Sequence, residues 1–252
     1  MNIVVLIPSR FASTRLPGKP LIDINGKTLI HRVYDEAEKL NYPTYCCIDS
    51  EDVAKEVESF GGKYIMTDSN LPSGSDRIFQ ALKKIEEIND TKYDIVVDFQ
   101  GDSLNIRHEI IQDLIKLLIE KKCDITTIAL NMKSSDYNNP AMVKIAMDFD
   151  EKNKVGNCLY FSRSLIPFDR EGCGVQIFHH VGIYVYSRNS LEKFVSSNES
   201  RLEKIEKLEQ LRALSNGMNI WAKYFDEIKI HPDAPADINV PAEAELCKKY
   251  FK

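Results

Sequence analysis

Three cations fall within one short segment, Pro8-Ser9-Arg10-Phe11-Ala12-Ser13-Thr14-Arg15-Leu16-Pro17-Gly18-Lys19-Pro20-Leu21. Arg10 and Arg15 can each offer paired N–H donors to phosphate oxygens and Lys19 a point charge, while the small residues between them let main-chain N–H groups turn inward. That chemistry suits a polyphosphate. A solvated basic loop with turn prolines has the same composition, so the segment gains meaning only from its company. Its company is Gln100-Gly101-Asp102, which follows an apolar run at 95–99. A carboxylate beside a phosphate cradle is what Mg²⁺ requires, since the ion takes one or two protein carboxylates and completes its shell with phosphates and waters. An isolated Gly-Asp pair also reads as a strand-ending turn.

Further candidates are spread along the chain. Ser73-Gly74-Ser75-Asp76-Arg77 precedes a helical pattern and reads first as an N-cap. His180 and Tyr184 lie on one strand-like run and could bind a polyhydroxylated ligand, although a lone histidine is more often structural. Glu203, Glu206 and Glu209 recur every three residues with Gln210 beside the last, a spacing that keeps neighbours on adjoining surfaces of one helix. A solvated helix face has the same pattern.

These residues need a frame. Apolar β-rich runs at 3–7, 44–48, 63–66 and 95–99 alternate with helical spacing at 28–40, 52–60 and 76–87, the second helix being followed by Gly61-Gly62. The alternation predicts an α/β fold with a mostly parallel sheet and right-handed crossovers, and ligands in such sheets bind beyond the carboxyl ends of the strands. A helix at 109–121 and a strand at 125–130 come next. After them the pattern loosens into Asn138-Asn139-Pro140 and strand-like runs at 142–147 and 181–186, which read as an inserted antiparallel part. A charged helix at 201–214, a strand at 220–225 and a helix at 242–250 end the chain.

The 252 residues carry a formal charge of −5 and are 43% hydrophobic, enough for one large or two small domains with a real core. Such a balance lacks the positive field of a nucleic-acid or anionic-membrane binder, so an anionic substrate must be held locally. The apolar runs are far shorter than the ~20 residues that span a bilayer, and the N-terminal one suits no signal segment. The expected location is the cytoplasm. The six cysteines form no C-x-x-C pair and read as reduced, mostly buried thiols.

The basic loop resembles the nucleotide-binding loop of sugar nucleotidyltransferases that make CMP-activated acidic sugars. Ser73-Gly74-Ser75-Asp76-Arg77, Gln100-Gly101-Asp102, Leu159-Tyr160-Phe161-Ser162-Arg163 with Ile166-Pro167, His180-Val181-Gly182-Ile183-Tyr184 and Leu208-Glu209-Gln210-Leu211-Arg212 stand in the order seen in the 3-deoxy-manno-octulosonate cytidylyltransferases (CMP-KDO synthetases). The resemblance spans nearly the whole chain. It implies a Rossmann-like three-layer fold with an inserted antiparallel β subdomain: a CTP-binding part at 1–130, an acceptor-sugar and dimerisation part at 131–218, and a return to the core at 219–252. The implied reaction is Mg²⁺-dependent cytidylyl transfer from CTP to the anomeric hydroxyl of KDO, releasing pyrophosphate, in a homodimer.

By resemblance Arg10, Arg15 and Lys19 hold the triphosphate, Ser73 and Arg77 the cytosine and ribose end, and Asp102 the metal. The family's second metal carboxylate lies in an Asp-Thr-Pro-Glu-Asp pattern. Here that region reads Pro235-Ala236-Asp237-Ile238-Asn239-Val240-Pro241, with Asp237 the counterpart and Asp233 close by. Gln100, Arg163, His180, Tyr184, Glu206, Glu209 and Gln210 are implied for the acidic sugar. Two departures stand out: Asp76 where the family has Glu, and Ser103-Leu104 where it has Glu-Pro. The lost carboxylate at 103 is expected to alter acceptor selection or metal affinity. The rival readings are another acidic acceptor, 8-amino-KDO or a sialic-type acid, and a noncatalytic nucleotide-binding protein on the same fold.

Overall fold

The computed structural model describes residues 1–12 and 16–252. The chain divides into two compact units, one of residues 1–112 and 228–252 and one of residues 113–227. The expected boundaries at 130/131 and 218/219 therefore move outward. The reason is pairing: the strands at 125–131 and 220–225 hydrogen-bond to each other and to strands of the second unit.

In the first unit, β1 (Ile3–Ser9), β2 (Thr44–Ile48), β3 (Tyr64–Met66) and β4 (Ile95–Asp98) form a parallel sheet in the order β3-β2-β1-β4. Every residue of β1 is buried, which its unbroken Ile-Val-Val-Leu-Ile run allows because helices cover both faces of such a sheet. The order reverses between β1 and β4, since β2 pairs with one edge of β1 and β4 with the other. Loops leaving the C-terminal ends of β1 and β4 thus diverge and leave a crevice between them.

Helices α1 (Leu29–Glu38), α2 (Glu51–Ser59) and α3 (Gly74–Ile88) begin at Thr28, Ser50 and Ser73, whose hydroxyls accept from main-chain N–H groups of His31, Asp52 and Asp76. Helix α4 (His108–Lys121) contains the boundary with the second unit. Its first N–H, from His108, donates to Glu36 Oε1 of α1 at 2.9 Å. Helix α8 (Pro241–Cys247) closes the unit, and Asn25 Nδ2 ties the chain end down through Lys248 O at 2.5 Å and Phe251 O at 2.9 Å.

The second unit holds β5 (Ile125–Asn131), β6 (Lys144–Asp150), β7 (Val155–Ser162), β8 (Phe178–Ser187) and β9 (Ile220–Phe225). They pair in the order β8-β5-β9-β7-β6, and β6 returns to β8, so the pairings form a closed ring. Only β5 and β9 run parallel among these pairs. Closure leaves no long unpaired edge. Phe161, Ile183, Val185, Tyr186 and Phe194 are buried in this unit, the last from α5 (Arg188–Ser196), a helix the sequence pattern did not predict; the Phe194 ring lies 6.1 Å from that of Tyr186.

The single helix expected at 201–214 is two: α6 (Arg201–Glu206) and α7 (Gln210–Ser215). Lys207 ends α6 in the left-handed region with φ 54°. Arg163 fixes that break, its Nε donating to Glu206 O at 2.7 Å and its Nη2 to Lys207 O at 3.2 Å. Cations suit the exposed carbonyls of a helix C-terminus. Among the described residues, no helix is long and apolar enough to cross a membrane.

Candidate active site

The crevice between β1 and β4 is a cleft of about 290 Å³, whose lining includes Ser9, Arg10, Lys19, Ser73, Gln100 and Asp102. Gly101 permits the approach of its two rims: a Cβ there would stand 2.0 Å from Ser9 Oγ and 2.8 Å from Pro8 O. Gly18, at φ +67°, turns the basic loop so that Lys19 opens a short 3-10 helix, Lys19–Leu21, and reaches back to the cleft.

Lys19 Nζ donates to Asp102 Oδ2 at 2.5 Å and to Asn239 Oδ1 at 3.4 Å. Asp237 stands behind them, its Oδ1 accepting from Ser103 Oγ at 2.7 Å. The residue is half-buried, but its carboxylate is hemmed in. Loss of solvent, and then the charge of Asp102, push that carboxyl up to about 7, against the pull of Ser103 and Lys19. Two oxygen donors that repel each other fit a hard divalent cation, whose charge offsets the repulsion.

Other members of the predicted set take supporting places. Ser73 Oγ caps α3 through Asp76 N–H and donates to Asp76 Oδ2 at 2.6 Å. Arg77, only 2% exposed, pairs with Asp49 Oδ2 at 3.0 Å and with Thr67 Oγ1. Asp49 Oδ1 in turn accepts from Phe11 N–H at 2.8 Å, so Arg77 acts on the basic loop through Asp49. Gln100 Nε2 donates to Asp98 Oδ1 at 2.8 Å, which orients its amide. Arg15 lies outside the described residues.

The sequence reading missed Ser9, Asp49 and Asn239. Ser9 Oγ is buried on the cleft wall with no hydrogen-bond partner among the described residues, a feature no spacing rule signals. Ser103, expected to alter acceptor selection or metal affinity, is 2% exposed and meets the Asp237 carboxylate.

The remaining candidates belong to the second unit. Glu206 and Glu203 share α6 but take different partners: Glu206 Oε1 accepts from Ser162 Oγ at 2.7 Å and its Oε2 from Arg163 N–H at 3.1 Å. Glu203 closes the capping box at Ser200 and holds Arg212, with Nη2 donating at 2.6 Å. Glu209 opens α7, and Gln210 is 5% exposed with Nε2 unpartnered among the described residues. His180 is 7% exposed, its Nε2 is 3.1 Å from Thr127 Oγ1, and its ring centroid is 5.5 Å from that of Tyr184. Burial drives the His180 pKa down to about 3, so the ring is neutral near pH 7. Arg163 spends its guanidinium on carbonyls of Pro140, Glu206 and Lys207.

A family model described as cytidylyltransferase matches residues 4–220. The chain belongs to the cytidylyltransferase family. It is 40% identical over 238 residues, 94% of each chain, to the 3-deoxy-manno-octulosonate cytidylyltransferase of Rickettsia typhi. It is 38% identical, over 98% of its own length and 99% of the relative's, to the 8-amino-3,8-dideoxy-manno-octulosonate cytidylyltransferase of Shewanella pealeana. Among solved structures, a CMP:2-keto-3-deoxy-manno-octonic acid synthetase complexed with CTP superimposes with a TM-score of 0.87 at 32% identity, over 99% of this chain and 98% of that one. For this cytidylyltransferase, the likeness extends across both units.

Proposed function

We propose that the protein catalyses cytidylyl transfer from CTP to the anomeric hydroxyl of KDO, giving CMP-KDO and pyrophosphate. The observation that carries this reading is the meeting of Lys19, Asp102 and the Ser103–Asp237 pair at one corner of the cleft between β1 and β4. The names borne by the curated relatives and by the CTP-complexed structure supply the substrates.

The C2 hydroxyl of the acceptor attacks the α-phosphorus in line. The new bond joins that oxygen to phosphorus, the α–β bridging bond breaks, pyrophosphate departs with the electron pair, and the hydroxyl proton passes to solvent. Such a reaction asks mainly for positioning and charge stabilisation. Lys19 and Arg10, with Arg15, neutralise the β,γ-phosphates. Asp102 and Asp237 would hold the divalent cation, taken to be Mg²⁺. That ion would supply charge neutralisation for the phosphates and Lewis acidity toward the attacking hydroxyl. Arg77 and Asp49 keep the loop at Phe11 in place for the cytosine and ribose end.

The acceptor set is assigned to Gln100, Arg163, His180, Tyr184, Glu206, Glu209 and Gln210. The unpartnered amide of Gln210 supports it, because a buried donor gains a hydrogen bond when a sugar hydroxyl arrives. The layering is read as Rossmann-like and three-layered. A homodimer formed through the second unit and a cytoplasmic location complete the proposal. Support for the dimer comes from Leu159, Phe168 and Ile205, which are 60%, 86% and 65% exposed. Sedimentation of the purified protein tests that part.

The decisive assay is pyrophosphate release from CTP with a panel of ulosonic acids. Turnover with KDO well above all others supports the reading, and release with none overturns it. The Shewanella pealeana relative favours one second reading, in which 8-amino-KDO is the preferred acceptor in the same panel.

A further inference from the structure

Asp237 sits in a stretch without regular secondary structure between β9 and α8, so no helix or continuous ladder fixes its place. What fixes it is the segment that follows Asp102. Arg107 N–H donates to Ile228 O at 3.0 Å, Ile230 N–H to Asn105 O at 3.2 Å, Asn105 N–H to Ala236 O at 3.1 Å, and Ile238 N–H to Asp102 O at 3.1 Å. In the middle of this seam Asn105 is fully buried. Its Nδ2 donates to His231 O at 2.8 Å and to Ala234 O at 3.1 Å, and its Oδ1 accepts from His231 N–H at 2.8 Å. One side-chain amide thereby satisfies three main-chain groups of the turn that leads into Asp237. Leucine of similar size would leave the His231 N–H without this acceptor and take a donor from the carbonyls of His231 and Ala234, which would then keep the Ala234 N–H and Lys229 Nζ respectively. Aspartate would turn an acceptor toward those two carbonyls. Ser103 adds the last link through its bond to Asp237 Oδ1, across 134 residues of sequence.

We infer that Asn105 and Ser103 are positioning residues that set where the Asp237 carboxylate stands relative to Asp102. The inference rests on the reading that these two carboxylates share a divalent cation, and it assigns the shared geometry to two side chains outside the nucleotide cleft. A ligating carboxylate on a loop must be held within about 0.5 Å, and removing its hydrogen-bond support costs about 10–100-fold in metal affinity or activity.

The test uses Ser103→Ala, Ser103→Thr and Asn105→Asp, with Asp237→Asn as reference. Three quantities are measured: the urea unfolding midpoint, Mn²⁺ affinity with and without CTP from the EPR signal of free Mn²⁺, and kcat and KM for CTP. The expected result is that Ser103→Ala and Asn105→Asp fold, keep KM for CTP within about twofold, and lose at least about tenfold in both Mn²⁺ affinity and kcat. Ser103→Thr, which retains the hydroxyl, restores both. Folded Ser103→Ala and Asn105→Asp variants with Mn²⁺ affinity and kcat within about twofold of the parent overturn the inference. Should Asn105→Asp fail to fold, the Ser103 pair decides. If Asp237→Asn binds Mn²⁺ as the parent does, it is the shared-cation reading that has failed, a result distinct from failure of the two supports alone.

Discussion

Replacing His180 by Gln should flatten the acid side of the stability profile, because the imidazole is buried neutral. The ring is 7% exposed, its Nε2 faces Thr127 Oγ1 at 3.1 Å, and burial lowers its pKa from 6.5 to about 3, with His179 a smaller contribution. The sign follows from proton counting. Below pH 6.5 the unfolded chain takes up a proton at this position, while the folded chain does so only near pH 3. Stability is therefore complete above 6.5 and falls as the pH drops through the window down to 3. Each unit inside the window costs about 1.4 kcal/mol, so by pH 5 the loss attributable to His180 is about 2 kcal/mol.

Urea unfolding of the parent and of His180→Gln, at pH 8, 6 and 5, isolates that slope from other titrating groups such as His179 and His31, whose pKa values are also lowered. Glutamine preserves a polar group facing Thr127, so a constant penalty for altered packing cancels in the comparison between pH values. The gap between the two proteins should narrow, or reverse, by about 2 kcal/mol from pH 8 to pH 5. A gap that stays constant within about 0.5 kcal/mol would falsify the claim that His180 is buried neutral.

Asp102→Asn keeps the shape of the side chain but removes charge from the cleft; turnover should fall at least about 100-fold with the fold intact by circular dichroism, and near-normal turnover would remove Asp102 from the site. Lys19→Ala should raise KM for CTP by about tenfold or more while the ratio of turnover for KDO and its 8-amino analogue stays put; a changed sugar ratio at normal CTP affinity would contradict its assignment to the phosphates. Arg77→Lys retains the charge, yet one ammonium cannot replace the planar group shared by Asp49 and Thr67, so KM for CTP should rise more than kcat falls. Ser103→Glu places a second carboxylate beside Asp237, worth about 1–4 kcal/mol at that range; it should shift the Mg²⁺ concentration for half-maximal rate and leave the sugar ratio unchanged, and the opposite pattern would return position 103 to acceptor selection.

The parallel strands were legible because a strand buried on both faces reads as a near-continuous apolar run, and β1 is apolar from Ile3 to Pro8. Lys19 and Asp102 were legible because each belongs to the segment that leaves the C-terminal end of a strand, β1 and β4, where an α/β sheet binds its ligands. The long helix was misread for a local reason: Lys207 is a good helix former, and nothing nearby in sequence predicts its positive φ, which goes with Arg163 reaching it from just past the end of β7. The break also divides the expected run of glutamates: Glu203 and Glu206 stay on α6 with different partners, and Glu209 precedes α7.

Asn105 and Ser103 were illegible in a stronger sense. Their partners lie 126 and 134 residues away, in a segment whose own sequence has no strand or helix pattern. A sequence motif records groups that must touch a ligand of fixed shape, and so preserves residue type at fixed spacing. A supporting hydrogen bond has only to end at the right place, and many pairs of side chains can do that from many positions. Substitution of the family's Glu-Pro by Ser103-Leu104 is of this second kind: Ser103 and Leu104 are both buried, with 2% and 1% of their surface exposed, and Leu104 N–H turns back to Asp102 O at 2.9 Å. Of the altered dipeptide, Ser103 meets the Asp237 carboxylate through its hydroxyl, so a change there acts on that carboxylate directly.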